Sequence, residues 1–283
     1  MKLLPVERRS ALSREEFSEQ YLKPRIPVIL TDLANDWEAM KTWNSEFFKT
    51  QYGHIPVPVF SQNYSKPGKG YMSADGQMPF GEFLNTIEQG PTDLRLFLFN
   101  IFDHAPELRA GYRIPDIMDG FSRRFAFMFW GAASSEVTMH YDIDHSNVFL
   151  TQFHGSKHVV LFPPEQSRYI YQQPYTVKSM VSVAHPDYER FPALQLAQGY
   201  ECDLQHGETL FMPSRFWHYM QYTDTSFSLA LRSNNSVLTK AQGYAEIAQH
   251  FFIDKGMNYV MGKQWHEWKE RVAIRRAEEL LGV

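Results

Sequence analysis

Residues 136–165 read EVTMHYDIDHSNVFLTQFHGSKHVVLFPPE. Three short runs in that stretch, EVTMHYD, NVFLTQF and KHVVLF, carry β-branched and aromatic residues and are separated by polar residues and glycine. Runs of that length and composition, bounded by turn residues, predict strands rather than helices. The same texture continues outward: LRLFLFNIF and RRFAFMFWG precede the stretch, and ETLFM, HYMQY and SFSLALR follow it. This succession between Leu94 and Arg232 predicts an all-β sandwich or barrel. Pro163 to Tyr200 interrupts it as a long excursion with few clear elements.

The flanks are helical or mixed. Ser13 followed by Glu16 has capping-box spacing and predicts a short helix through Tyr21. IPVILTD, residues 26–32, predicts a buried strand. A helix is expected over Ser45 to Tyr52 with Gly53 as its stop, then an edge strand over Val57 to Ser61. Residues 62–78 read as a long loop, and a further helix is expected from Pro79 to Gln89, stopped by Gly90. From Thr239 the periodicity is helical to the end, with Ile247, Phe251, Phe252, Trp265, Trp268, Val272 and Leu280 as expected buried positions. The expected organisation is a helical and mixed segment (1–93) packed on a β-barrel (94–236), followed by a C-terminal helical pair (237–283).

A chain of 283 residues can bury a substantial core, and a formal charge of −4 argues against a generally basic, nucleic-acid-coating surface. The single Cys202 rules out an intramolecular disulfide and cysteine-based zinc sites, which fits a reducing compartment. The N-terminus lacks a signal-peptide pattern, and no run approaches the ~20 apolar residues of a membrane helix. The expectation is a cytoplasmic protein with no membrane partner.

His140-Tyr141-Asp142 is the main chemical observation. Side chains alternate along a strand, so His140 and Asp142 project to one face while Tyr141 points away. A third ligand would complete a two-histidine, one-carboxylate set that leaves coordination positions open for small molecules. H-x-D alone is a weak signal. His218, in GETLFMPSRFWHYM, follows a turn, a strand and a proline that ends the ladder, and it would reach the same barrel mouth if the strands are antiparallel neighbours. The competing reading is an aromatic hairpin with an incidental histidine. His145, His154, His158, His185 and His206 fall in turns or strand ends, where polar surface roles are expected.

HYD, the Gly155–Pro164 segment GSKHVVLFPP and the Gly207–His218 segment GETLFMPSRFWH together resemble the JmjC and cupin-like oxygenases. The motifs span Thr138 to Arg232, about a third of the chain, with looser similarity in PRIPVILTDLANDW. The resemblance implies a mainly β fold, a double-stranded β-helix (jelly roll, or cupin) with N-terminal α/β additions and C-terminal helices. It implies Fe(II) on His140, Asp142 and His218, with 2-oxoglutarate and O₂ as co-reactants. Lys157 stands where this family places the lysine that meets the far carboxylate of 2-oxoglutarate, and it shares strand parity with Val159 and Leu161. Asn147 and Thr138 match polar positions that help to hold the cosubstrate.

Three departures stand out. Thr138 lies two residues before His140, where relatives more often have Thr or Ser three before. Phe97 occupies a position where a relative has a tyrosine. Arg232 replaces a common asparagine, as either a second cosubstrate partner or a structural ion-pair partner. The implied activity is hydroxylation of a protein side chain, coupled to decarboxylation of 2-oxoglutarate to succinate and CO₂. RNA or small-molecule hydroxylation, a cupin dioxygenase or isomerase without 2-oxoglutarate, and a non-catalytic binding module are the alternatives. The substrate is not identified by sequence; Tyr64, Tyr71, Tyr169, Tyr171 and Tyr175 could stack a base, line a peptide groove or anchor loops. Phe251, Phe252, Trp265, Trp268, Leu280 and Leu281 crowd the C-terminal segment and predict a homodimer through its helices.

Overall fold

The computed structural model describes residues 1–61, 73–97, 99–234 and 236–282. Most of the loop expected over residues 62–78, with Tyr64 and Tyr71, lies outside the described residues. The strands are β1 (Lys2–Pro5), β2 (Glu7–Arg9), β3 (Val28–Leu30), β4 (Pro56–Val59), β5 (Gly76–Pro79) and β6 (Arg95–Leu96). Then come β7 (Phe121–Gly131), β8 (Glu136–His140), β9 (Asn147–His154), β10 (Lys157–Phe162), β11 (Gln198–Leu204), β12 (Thr209–Met212), β13 (Trp217–Tyr222) and β14 (Ser226–Ser233).

The last eight form the barrel. One sheet runs β12-β9-β14-β7 and the other β11-β10-β13-β8, so the chain changes sheet at every step but β10 to β11. All of these pairings are antiparallel, which makes the expected double-stranded β-helix. Val148 and Leu150 pack with Val159, Leu161, Leu210 and Met212 between the sheets. The outer face of the β9-containing sheet is buried too, with Phe149, Phe211 and Phe227 against Phe17, Trp37 and Phe48 of the N-terminal segment. Strands covered on both faces read as continuous apolar runs, which is why they were visible in the sequence. On the other sheet, Val160, Phe162 and Trp217 pack against Ile170, Tyr171 and Leu194 of the long excursion.

The N-terminal segment extends both sheets. β1 pairs with β11, and β2 pairs with β3, which pairs with β12. Helix α1 (Arg14–Phe17) has the predicted capping box, with Glu16 N on Ser13 Oγ at 3.2 Å and Ser13 N on Glu16 Oε2 at 2.9 Å. It continues as a π-helical turn over Ser18–Leu22. Three further helices follow, α2 (Ala39–Thr42), α3 (Ser45–Tyr52) and α4 (Phe80–Glu88). At the C-terminus α5 (Val237–Gln249) passes through a π-helical turn (His250–Lys255) into α6 (Gly256–Met261), and α7 (Lys263–Leu281) turns back. No described helix is long and apolar enough to cross a membrane.

Several expectations needed correction. Among the described residues of LRLFLFNIF, Arg95–Leu96 is the strand; Asn100 Oδ1 accepts from Phe102 N and caps a 3₁₀ turn over Ile101–Asp103. β11 emerges from the end of the excursion, and β5 overlaps the end of the span read as loop and takes in Pro79, read as the start of the next helix. Trp265 and Val272 are buried as expected, but Phe251 and Phe252 are exposed, the latter to 83%.

Candidate metal centre

His140 ends β8, His218 is the second residue of β13, and the antiparallel register sets them directly opposite each other. Opposed residues share a face, and the two imidazole centroids are 4.2 Å apart. Beyond His140 the chain remains tied to the excursion, Tyr141 N donating to Val177 O at 3.1 Å. Asp142 thus lies just past the strand rather than inside it, and still turns to the same side. One ligating atom from each of His140, Asp142 and His218 lies within 4.8 Å of the other two.

The rings are oriented by the backbone. His140 Nδ1 lies 2.8 Å from Thr138 O, and His218 Nδ1 lies 3.1 Å from Phe216 O. A carbonyl only accepts, so Nδ1 carries the hydrogen and Nε2 keeps its lone pair for a ligand. Burial, and then the neighbouring His218, push His140 down to about 3 against the pull of Asp142. Burial lowers His218 as well. Both rings are therefore neutral near pH 7, the form that binds metal. Burial alone would raise the Asp142 carboxyl, but the Arg232 guanidinium, by charge and hydrogen bond, holds it far below the usual carboxylate range.

Arg232 is bound to carboxylates. Its Nη2 donates to Asp142 Oδ1 at 3.0 Å, while Nη1 lies 3.0 Å from Asp142 Oδ2 and 2.9 Å from Asp144 Oδ1. The fork fixes the Asp142 plane. Two neutral imidazoles and one carboxylate form the facial triad suited to Fe(II), with three positions left open. The residues therefore fit the metal that the fold implies.

A second tie comes from outside the barrel, and the sequence reading missed it. Glu246 of α5 accepts from Tyr141 Oη at 3.0 Å and pairs with His145 Nε2 at 2.9 Å. His145 is buried, not the surface histidine expected. Gly243 brings α5 against the same loop, where an added Cβ would meet Asp144 O at 2.8 Å. A glycine inside a helix was the one available signal of that close approach.

The triad opens into a cavity of about 420 Å³. At its inner end stands Lys157, 1% exposed, with Nζ donating to Ser228 Oγ and 4.5 Å from the Tyr222 ring centroid. Burial alone pushes this amine down to about 7, and no described carboxylate pairs with it. Leu161 is the register partner of His218 and Lys157 that of Tyr222, so the backbone positions of the lysine and the histidine are offset by roughly 13 Å along the strands. Phe97 lines the cavity, whereas Thr138 and Asn147 are not among its lining residues. Thr138 contributes its carbonyl to His140, and Asn147 Oδ1 accepts from Ser214 N at 2.9 Å.

A family described as cupin-like domain matches residues 13–236. The chain is 28% identical over 256 residues to a lysine-specific demethylase of Arabidopsis thaliana, covering 83% of this chain and 58% of that protein. It is 28% identical over 230 residues to lysine-specific demethylase 8 of Xenopus tropicalis, covering 77% and 50%. Over 171 residues it is 31% identical to tRNA wybutosine-synthesizing protein 5 of Gallus gallus, covering 59% and 50%. The chain spans about half the length of the curated relatives it matches.

Proposed function

The chain belongs to the cupin-like domain family, and from that premise we propose that it is an Fe(II)- and 2-oxoglutarate-dependent oxygenase that hydroxylates a protein side chain. The observation that carries this reading is one cavity holding both the His140, Asp142 and His218 triad and the buried, uncompensated Lys157. A buried cation without a counter-ion is costly, and a dicarboxylate bound beside the metal would remove that cost with its far end. A cupin dioxygenase or isomerase without 2-oxoglutarate leaves Lys157 without a role.

The reaction balances as R–H, O₂ and 2-oxoglutarate giving R–OH, succinate and CO₂. Bound iron would supply the oxygen activation; the chain binds, orients and excludes water. His140, Asp142 and His218 would hold the ion, with Arg232 keeping Asp142 in plane. Lys157 and Ser228 would grip the distal carboxylate, and an anion there returns Lys157 to its charged form. Phe97 and Phe129 in the cavity wall keep the reacting groups from bulk water. No side-chain acid or base is required.

The names of the relatives point to demethylation of lysine and to tRNA modification, both reachable by the same hydroxylation step. Succinate formation by purified protein with Fe(II), ascorbate and 2-oxoglutarate tests the proposal; its absence in metal-loaded, folded protein would overturn it. The exposed Leu238, Tyr244, Phe252, Tyr259 and Val260 support a homodimer through α5 and α6. Light scattering that gives a monomer at micromolar concentration would exclude it. The lone, buried Cys202 suits a cytoplasmic setting.

A further inference from the structure

The wall at the mouth of the cavity is pinned from behind. Asp254, fully buried in the π-helical turn, accepts from Trp265 Nε1 at 2.9 Å and from Lys269 Nζ at 2.6 Å, both on α7. The same turn supplies Phe251 and Lys255 to the cavity. Lys255 Nζ lies 4.4 Å over the Phe251 ring, which keeps the cation at the rim. Lys178 of the excursion lines the cavity too, and Phe125 and Phe127 face it from β7. A π-helical turn at a cavity edge is a recurrent way of aiming side chains at a ligand.

The carboxylates lining this cavity among the described residues are Asp142 and Asp144. Arg232 bonds both, and Ser146 Oγ takes the other oxygen of Asp144 at 2.8 Å. Among the described residues, an arriving side chain therefore meets Lys255 and phenylalanine faces, with no lining carboxylate left to pair with it. A lysine or arginine acceptor, methylated or not, would bring positive charge out of water beside like charge. Aromatic faces can attract cations, but Phe251 already carries Lys255, and Phe125 has the Arg124 guanidinium 5.9 Å from its centroid. A chain of formal charge −4 is not a polyanion track, which favours a peptide over RNA.

Taking the oxygenase reading as given, we propose that the acceptor is an uncharged or acidic side chain on an acidic peptide segment, guided by Lys255, and that lysine and arginine side chains are excluded. This separates the chain from the demethylases it resembles. The test uses the full chain loaded with Fe(II) and 2-oxoglutarate against three probes: degenerate peptides with acidic flanks, the same peptides with basic flanks, and a mixed-sequence RNA. Mass spectrometry reads which residue gains an oxygen atom, and peptide-free succinate formation is measured alongside. Oxygen gain on uncharged or acidic residues of the acidic pool is expected, with Lys255→Glu lowering that yield several-fold and shifting preference toward the basic pool. Modification of lysine, of arginine, of the basic pool, of RNA or of no probe overturns the inference. If peptide-free succinate still forms, the oxygenase reading survives; if no succinate forms in any arm, both fall.

Discussion

Two cations border one cavity, Arg232 mostly covered and Lys157 fully buried, and they are held in opposite ways. Arg232 has two carboxylates in its fork, and although burial works against the charge, Asp142 and Asp144 raise its pKa. Lys157 has a hydroxyl and a ring but no carboxylate, and burial lowers it to about 7. The first is a completed ion pair that orients a metal ligand. The second is half of a pair whose other half must come from outside the chain. A satisfied buried charge is a structural part, whereas an unsatisfied one is a request for a ligand.

The comparison breaks most severely if the ligands themselves are removed. Asp142→Ala or His218→Ala should abolish metal-dependent succinate formation while a melting curve shows the barrel intact, since apolar burial carries its stability. Wild-type-like turnover in folded Asp142→Ala would sink the metal assignment. Arg232→Ala should weaken iron binding about 10–100-fold, the range for partners that orient a ligand, and should change 2-oxoglutarate affinity little once iron is saturating. Iron titration followed by cosubstrate titration separates those effects. A dominant loss of 2-oxoglutarate binding would instead make Arg232 the anchor.

Lys157→Met sharpens the contrast. Loss of a charge-assisted bond of about 1.5–3 kcal/mol should weaken 2-oxoglutarate at least tenfold with iron affinity retained. Stability should move the other way. The folded-state pKa is lowered from 10.5 to about 7, so within that window the unfolded chain holds a proton that the folded chain lacks. Stability of the cosubstrate-free protein therefore rises with pH across it, and the full penalty is present below about 7. Melting the variant beside wild type should show it more stable below pH 7, by an amount on the order of 5 kcal/mol at most, with the gap closing toward pH 10. Glu246→Gln, the mildest change, should cost about 1 kcal/mol and a few-fold in iron affinity, because Tyr141 and His145 keep a neutral partner. Unchanged iron binding would reduce Glu246 to a helix-docking residue.

Much of this was legible in the sequence, for physical reasons that differ by element. The barrel strands β9, β10 and β14 bury both faces and leave apolar runs behind them. His140 and Asp142 carry the parity of a strand, and His218 follows a turn, a strand and a proline. β1, β2 and β11 left no such mark. β1 and β2 take their strand conformation from pairing with a neighbour, and β11 mixes buried Cys202 and Leu204 with exposed Gln198 and Asp203. The partner of Arg232 was also hidden, because the contact joins residues 90 positions apart, and only the β14–β9 register brings them together. Helical periodicity predicted Phe251 and Phe252 to be buried, but it marks an apolar face without saying whether anything covers it.

The register pairing of His140 with His218 also has a consequence in time. β8 is the outermost strand of its sheet, and its ladder partner among the described residues is β13. A nascent or half-folded chain in which these two strands have not yet met carries the three side chains but has no site. Iron can then be captured only after the sheet closes, so it cannot speed the closure. Once seated, it would add a clasp to the end of an edge strand whose outer side is held by a short bridge to the excursion at Lys178. Its kinetic effect should fall on the unfolding limb, with the loaded protein opening more slowly and folding no faster.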